Sequence, residues 1–189
     1  MTTTTGRNPT ASLRVRAARI ADAADIARVH VDSWRETYTG IIPESYLREL
    51  RYPKQEAEWK HHLAMPGNAT FVAEDSLAGV VGFANGGPER SGRSSYFAEL
   101  YVLYLLERYH SRGIGSALIC AFARELTQIG LLRMLVWVLS DNPARGFYEA
   151  LGGRFIGETP VAVGGARLIE VAYGWHDVRA LCRPGRRSG

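Results

Sequence analysis

Hydrophobic positions along this chain change their period several times, and the changes mark out its elements. Residues 1–12 are polar and Thr-rich, and are expected to be disordered. Leu13 to Ala17 reads as a short strand. Asp22 then suits a helix N-cap, and Ile26, Val29, His30 and Trp34 follow at helical spacing, predicting a helix to about Tyr38. Gly40 ends it, and Pro43 opens a second short helix through Leu50. A third helix is expected over about Pro53 to Met65.

The period then becomes that of strands. Ala69–Glu74 and Ala78–Ala84 suit a hairpin, and Asn85–Gly86–Gly87–Pro88 predicts a break after it. Ser95–Leu105 is a long strand. A loop leads into a helix from Gly113 to about Ile129, where Ile114, Leu118, Phe122, Leu126 and Ile129 make one apolar stripe. Leu131–Leu139 is a near-continuous apolar run, as in a strand buried on both faces. Asn142–Pro143 starts a short helix that Gly152–Gly153 closes. Arg154–Val163 and Arg167–Trp175 form a last hairpin around Gly164–Gly165. This order predicts an α/β protein of the α+β type, with a mixed sheet of about seven strands flanked by helices.

Composition narrows the function classes. The chain has 189 residues, 46% hydrophobic and 22% charged, which suits one globular domain, expected over 13–177. A core of this size needs neither metal nor disulfide. The net charge of +4 owes much to Arg183, Arg186 and Arg187 in residues 178–189, expected to be a flexible tail. That tail is too short, and too poor in aromatics, to argue for nucleic-acid binding. No window is apolar enough for a membrane span, and no signal peptide opens the chain. Cys120 and Cys182 lack metal-ligand spacing; Cys120 reads as a buried thiol and the expected compartment is a reducing cytoplasm. His61–His62 reads as a solvated helical pair, and no metal is expected.

The chemistry concentrates in Glu99–Ile119, ELYVLYLLERYHSRGIGSALI. A strand ends, a short loop follows, and Gly113 and Gly115 open a helix. Amides in a helix's first turn lack internal partners and sit at the positive end of its dipole, which suits a phosphate or pyrophosphate. A P-loop would need G-x-x-x-x-G-K-[ST], which is absent. A dinucleotide fingerprint would need Gly or Ala where Leu118 stands. A third design is the diphosphate loop of acetyl-CoA enzymes.

The chain resembles the GNAT superfamily of acetyl-CoA-dependent N-acetyltransferases. That family carries [QR]-x-x-G-x-[GA] after a strand ending in an apolar–x–apolar triplet. Here the triplet is Leu103–Tyr104–Leu105 and the loop is His110–Ser111–Arg112–Gly113–Ile114–Gly115. His110 stands where the family has Gln or Arg, and Glu107 where it often has Pro. A second block, WVLSDNPARGFYEALGG from Trp137 to Gly153, resembles the downstream CoA-binding block of the same family.

The resemblance implies a function and roles. The function is transfer of an acetyl group from acetyl-CoA to a primary amine, by direct attack in a ternary complex; the alternative is a non-catalytic CoA-binding sensor or scaffold. The main chain of Leu103, Tyr104 and Leu105 would pair with the pantetheine arm, against the plainer reading of an ordinary paired strand. His110, Ser111, Arg112, Gly113, Ile114, Gly115 and Ser116 would hold the diphosphate. Asn142 can both cap its helix and touch the cofactor. Tyr148 is the candidate general acid toward the CoA thiolate, or a core aromatic beside Phe147. Glu99 is the candidate general base, or a plain surface carboxylate or salt-bridge partner. Trp34 and Tyr38, four residues apart on one helix face, would wall the acceptor site or belong to a core stripe. Dimers are common in the family. The identity of the amine, the acyl-chain preference and the oligomeric state are not encoded in any motif of this chain.

Overall fold

The computed structural model of the protein describes residues 12–92 and 95–182. The segment expected to be disordered therefore falls almost wholly outside the described residues, as do residues 183–189 of the basic tail. Among the described residues seven strands and five α-helices follow one another as β1 (Leu13–Ala17), α1 (Ala23–Tyr38), α2 (Glu44–Glu49), α3 (Tyr52–Ala64), β2 (Ala69–Asp75), β3 (Gly79–Pro88), β4 (Ala98–Leu105), α4 (Ile114–Gln128), β5 (Met134–Leu139), α5 (Arg145–Ala150), β6 (Arg154–Val163) and β7 (Ala166–Trp175). The strands form one sheet in the order β1-β2-β3-β4-β5-β7-β6. Every neighbouring pair is antiparallel except β4 and β5. The mixed seven-stranded sheet agrees with the sequence expectation.

The parallel pair positions the site. β4 and β5 are in register only at Ala98–Met134, Glu99–Leu135 and Leu100–Val136. Beyond Leu100 the two strands part, while β4 stays paired to β3 through Leu105. Burial follows the split: residues 98–100 are buried and 101–105 only half-buried.

Adjacent residues of a strand point to opposite faces. On β5, Val136 and Val138 join the large core with Leu118 and Phe122 of α4 and Tyr148 of α5. Their neighbour Leu139 instead joins a smaller cluster with Tyr38, Ile42 and Leu47. The gap between β4 and β5 thus connects two faces of the sheet.

Local differences from expectation have packing causes. β3 does not break at Asn85; it bulges between Asn85 and Gly86 and runs on to Pro88. A Cβ on Gly86 would lie 2.3 Å from Phe122 Cζ and 2.4 Å from the Glu99 carbonyl oxygen, so this glycine permits close packing rather than ending the strand. Asp22 precedes α1 as expected, but its carboxylate does not cap the helix. It accepts hydrogen bonds from Arg16 at 2.7 and 2.8 Å and from the Arg19 amide at 2.7 Å.

The carboxyl-terminal stretch is ordered further than expected. Residues 178–182 form a 3₁₀ turn that buries Val178 and Leu181. Cys182 of this turn is disulfide-bonded to Cys120 of α4, with Cα atoms 4.8 Å apart, which replaces the buried thiol expected at Cys120. Tertiary folding joins positions 62 residues apart, a pairing that spacing alone does not reveal. No helix among the described residues is long and apolar enough to cross a membrane.

Candidate active site

The gap between β4 and β5 opens into a cleft of about 910 Å³. Its walls come from α1, the second half of β4, the start of α4, β5, α5 and the ends of the β6–β7 hairpin. Among the described residues no cluster of three His, Cys, Asp or Glu side chains could hold a metal ion.

One end of the cleft is built from main chain. Gly113 precedes α4 with φ +75°, the left-handed region that Gly adopts without strain. Ser111 also has positive φ, at 59°. No side chain caps the helix, and its first closing bond runs from the Ala117 amide to the Gly113 carbonyl at 3.0 Å. The amides of Ile114, Gly115 and Ser116 consequently have no partner inside the helix. Gly115 has a different reason for being glycine: a Cβ there would press on the Phe147 ring at 3.2 Å.

The open half of β4 supplies more main chain. The Leu106 amide donates to the Val81 carbonyl of β3 at 3.0 Å, so the amides of Leu105 and Leu103 point the other way, into the gap. No strand among the described residues pairs with them there. The Leu105 carbonyl already accepts a hydrogen bond from His110 Nε2 at 2.7 Å. The histidine in place of the family's Gln or Arg therefore ties the loop back to the strand.

The middle of the cleft is aromatic. Tyr148 is 5% exposed and packs edge-on against Phe147 and Trp175. Burial pushes its phenol up from the usual value, so it stays protonated across the physiological range. Tyr104 is raised well above the ordinary range, and Tyr38 is also raised, each chiefly by burial. Asn142 is buried, donates to the Tyr38 hydroxyl at 3.1 Å and accepts from the Ala144 amide at 2.8 Å. It thus caps the turn into α5 and braces α1 across the cleft. Trp34 and Tyr38 contact edge to face, with ring centroids 5.0 Å apart, and both line the cavity.

Most of the residues expected at the site converge on this cleft: Trp34, Tyr38, Leu103, Tyr104, Leu105, His110, Ser111, Gly113, Ile114, Gly115, Ser116, Asn142 and Tyr148. Two do not. Arg112 is exposed and holds its guanidinium 5.3 Å from the Tyr109 ring, away from the cavity wall. Glu99 lines a second, shallower cavity of about 590 Å³ together with Arg90, Tyr101, Trp137, Glu158 and Glu170. Glu99 is buried there and bound by Arg90, whose Nη2 donates to Oε1 at 2.6 Å and whose amide donates to Oε2 at 3.0 Å. The Arg90 guanidinium also lies 3.6 Å from the centre of the Tyr101 ring.

Glu170 is the residue the sequence did not single out. It lines both cavities. It pairs with Leu139 across β5–β7 and with Thr159 across β6–β7, which puts it on the face of Trp137, Leu135 and Glu99. Burial, then the neighbouring Glu99 charge, raise its proton affinity. The one available signal was a lone carboxylate in the alternating strand RLIEVAYGW.

The cleft thus lies between parting parallel strands, with a glycine-opened helix at one end. Comparison with known proteins shows the family. Residues 30–153 match the acetyltransferase (GNAT) family model, and the chain belongs to that family. It is 45% identical over 167 residues to the uncharacterized N-acetyltransferase YuaI of Bacillus subtilis (strain 168), covering 88% of this chain and 95% of that one. In fold it is similar to the PaiA N-acetyltransferase of Thermoplasma acidophilum solved with coenzyme A, with a TM-score of 0.65 at 21% identity over 85% of this chain and 98% of that one. It is likewise similar to YncA of Salmonella typhimurium solved with its cofactor acetyl-CoA, with a TM-score of 0.66 at 20% identity over 87% and 93% of the two chains.

Proposed function

We propose that this protein transfers an acetyl group from acetyl-CoA to a primary amine by direct attack in a ternary complex. The observation that carries the reading is the unpaired half of β4 leading to the uncapped start of α4. Together they offer main-chain donors over the length of an extended phosphorylated arm. The amides of Ile114, Gly115 and Ser116 fit a diphosphate, and the open edge at Leu103 and Leu105 fits an amide-bearing chain laid along it. The absence of a Cβ at Gly115 keeps the helix start low and lets Phe147 pack beneath it. Bound acetyl-CoA supplies an activated thioester.

The residues of this chain do the rest. The Leu105 amide, facing the gap, is a preplaced donor for oxygen charge that develops there. Tyr148 holds a proton inside the cleft. Burial makes its phenol a weaker acid than in water, but a thiolate formed in the same dry pocket becomes a stronger base, so the two stay matched. Trp34 and Tyr38 wall the acceptor side. The amine's own proton leaves toward the carboxylates of the open sheet face, Glu99 and Glu170. The cytoplasm and a small-molecule or peptide amine as acceptor complete the reading.

The test is Tyr148→Phe, assayed by thiol release with an accepted amine. Turnover should fall by about 100-fold or more while acetyl-CoA affinity by calorimetry is unchanged. Unchanged turnover would remove the acid role. A wild-type protein that binds acetyl-CoA but releases no thiol with any amine would be a sensor instead of an enzyme.

A further inference from the structure

We propose that Glu170, rather than Glu99, is the group that takes the proton from the acceptor ammonium. This rests on the acetyltransfer reading above and adds a catalytic residue to it.

The two carboxylates lie on one sheet face but in different surroundings. Glu99 is buried and its oxygens are taken by Arg90, through the guanidinium and the main-chain amide. Its oxygens are therefore occupied by a charge-assisted pair and are not presented to a substrate. It also does not line the cleft that holds Tyr148. Glu170 does, and with Tyr101 and Trp137 it lines both that cleft and the second cavity. Among the described residues its carboxylate has no hydrogen-bond or ion-pair partner, which leaves it open to receive a proton. The second cavity, with an open mouth beside Arg90, Glu158 and Thr159, gives that proton a way out to solvent.

The charges around Glu170 suit the task. Those facing it are Glu99 and Tyr101 on β4, Arg90 just past β3 and Tyr38 on α1; Glu158 of β6 lines the second cavity but pairs with Val171, whose side chain lies on the other sheet face. The Glu99 charge raises its proton affinity and Arg90 lowers it. Of the two carboxylates, Glu99 is occupied by its ion pair with Arg90, and Glu170 faces the cleft. The step is balanced: the substrate ammonium loses one proton to a Glu170 carboxylate oxygen, leaving a neutral amine and a neutral carboxylic acid. The acid returns its proton to water before the next turnover.

The experiment is the pH profile of kcat/KM for an accepted amine, with a parallel titration of the glutamate carboxyl carbons by NMR. Glu170→Gln should cost about 100-fold in kcat, leave acetyl-CoA affinity unchanged and remove the acid limb. Glu99→Gln deletes a like charge, so the acid limb should move to lower pH. Arg90→Met deletes a cation, so it should move to higher pH. In the wild type the Glu170 carboxyl should titrate above an ordinary glutamate. The assignment is overturned if Glu170→Gln keeps turnover within about threefold and retains its acid limb, or if Glu170 titrates at or below the ordinary range. Absence of turnover by the wild type with every amine tried would refute acetyltransfer itself, whereas a working wild type and a working Glu170→Gln refute only this residue.

Discussion

The two ends of the cleft are made of different material. The end at α4 is main chain: the amides after Gly113 and the unpaired edge of β4, all within residues 101–116. The other end is side chain, brought together from α1, β4, β5 and β7 as Trp34, Tyr38, Tyr101, Trp137 and Glu170. A main-chain site survives wide changes of side chain, since any residue but proline supplies an N–H. A side-chain site is specific to its residues and free to vary between relatives. The first kind of end suits an invariant co-substrate, and the second suits an acceptor that differs from protein to protein.

The comparison can be broken at its main-chain end by adding a side chain where none fits. Gly115→Val would push against Phe147 at the helix start, and acetyl-CoA affinity by calorimetry should fall by about 100-fold, equivalent to about 2.7 kcal/mol. The bridge between the two ends should matter less for binding and more for the fold. Tyr38→Phe strands the buried Asn142 amide, and denaturant unfolding should show a loss of about 1–3 kcal/mol. The smallest effect sharpens the contrast. Arg112 sits in the loop motif but turns its side chain over Tyr109, so Arg112→Ala should change acetyl-CoA affinity by no more than about threefold. A large loss there would mean that side-chain charge, not main chain, holds the diphosphate.

The elements themselves were largely readable. The apolar stripe of α4, the hairpins and the Gly113–Gly115 turn follow from period and from backbone rules that act within a few residues. Asn85–Gly86–Gly87–Pro88 misled because the same glycine that frees a turn also admits a close neighbour, and Phe122, 36 positions away, is that neighbour. Glu99 was legible as a carboxylate near the motif, yet its pairing with Arg90 was not, since both the loop that returns Arg90 and the register of β3 on β4 had to form first.

What the sequence determined by itself is the set of local, main-chain features: the helices, the strands and the left-handed glycine that precedes α4. These depend on dihedral preferences and hydrophobic period, which are written in neighbouring residues. Only the tertiary structure decided that β4 and β5 part after Leu100, that Cys182 reaches Cys120, and that Glu170 stands at the cleft while Glu99 is held by an arginine. Those outcomes rest on contacts between distant segments, whose energies depend on where the sheet's register and twist finally place each side chain.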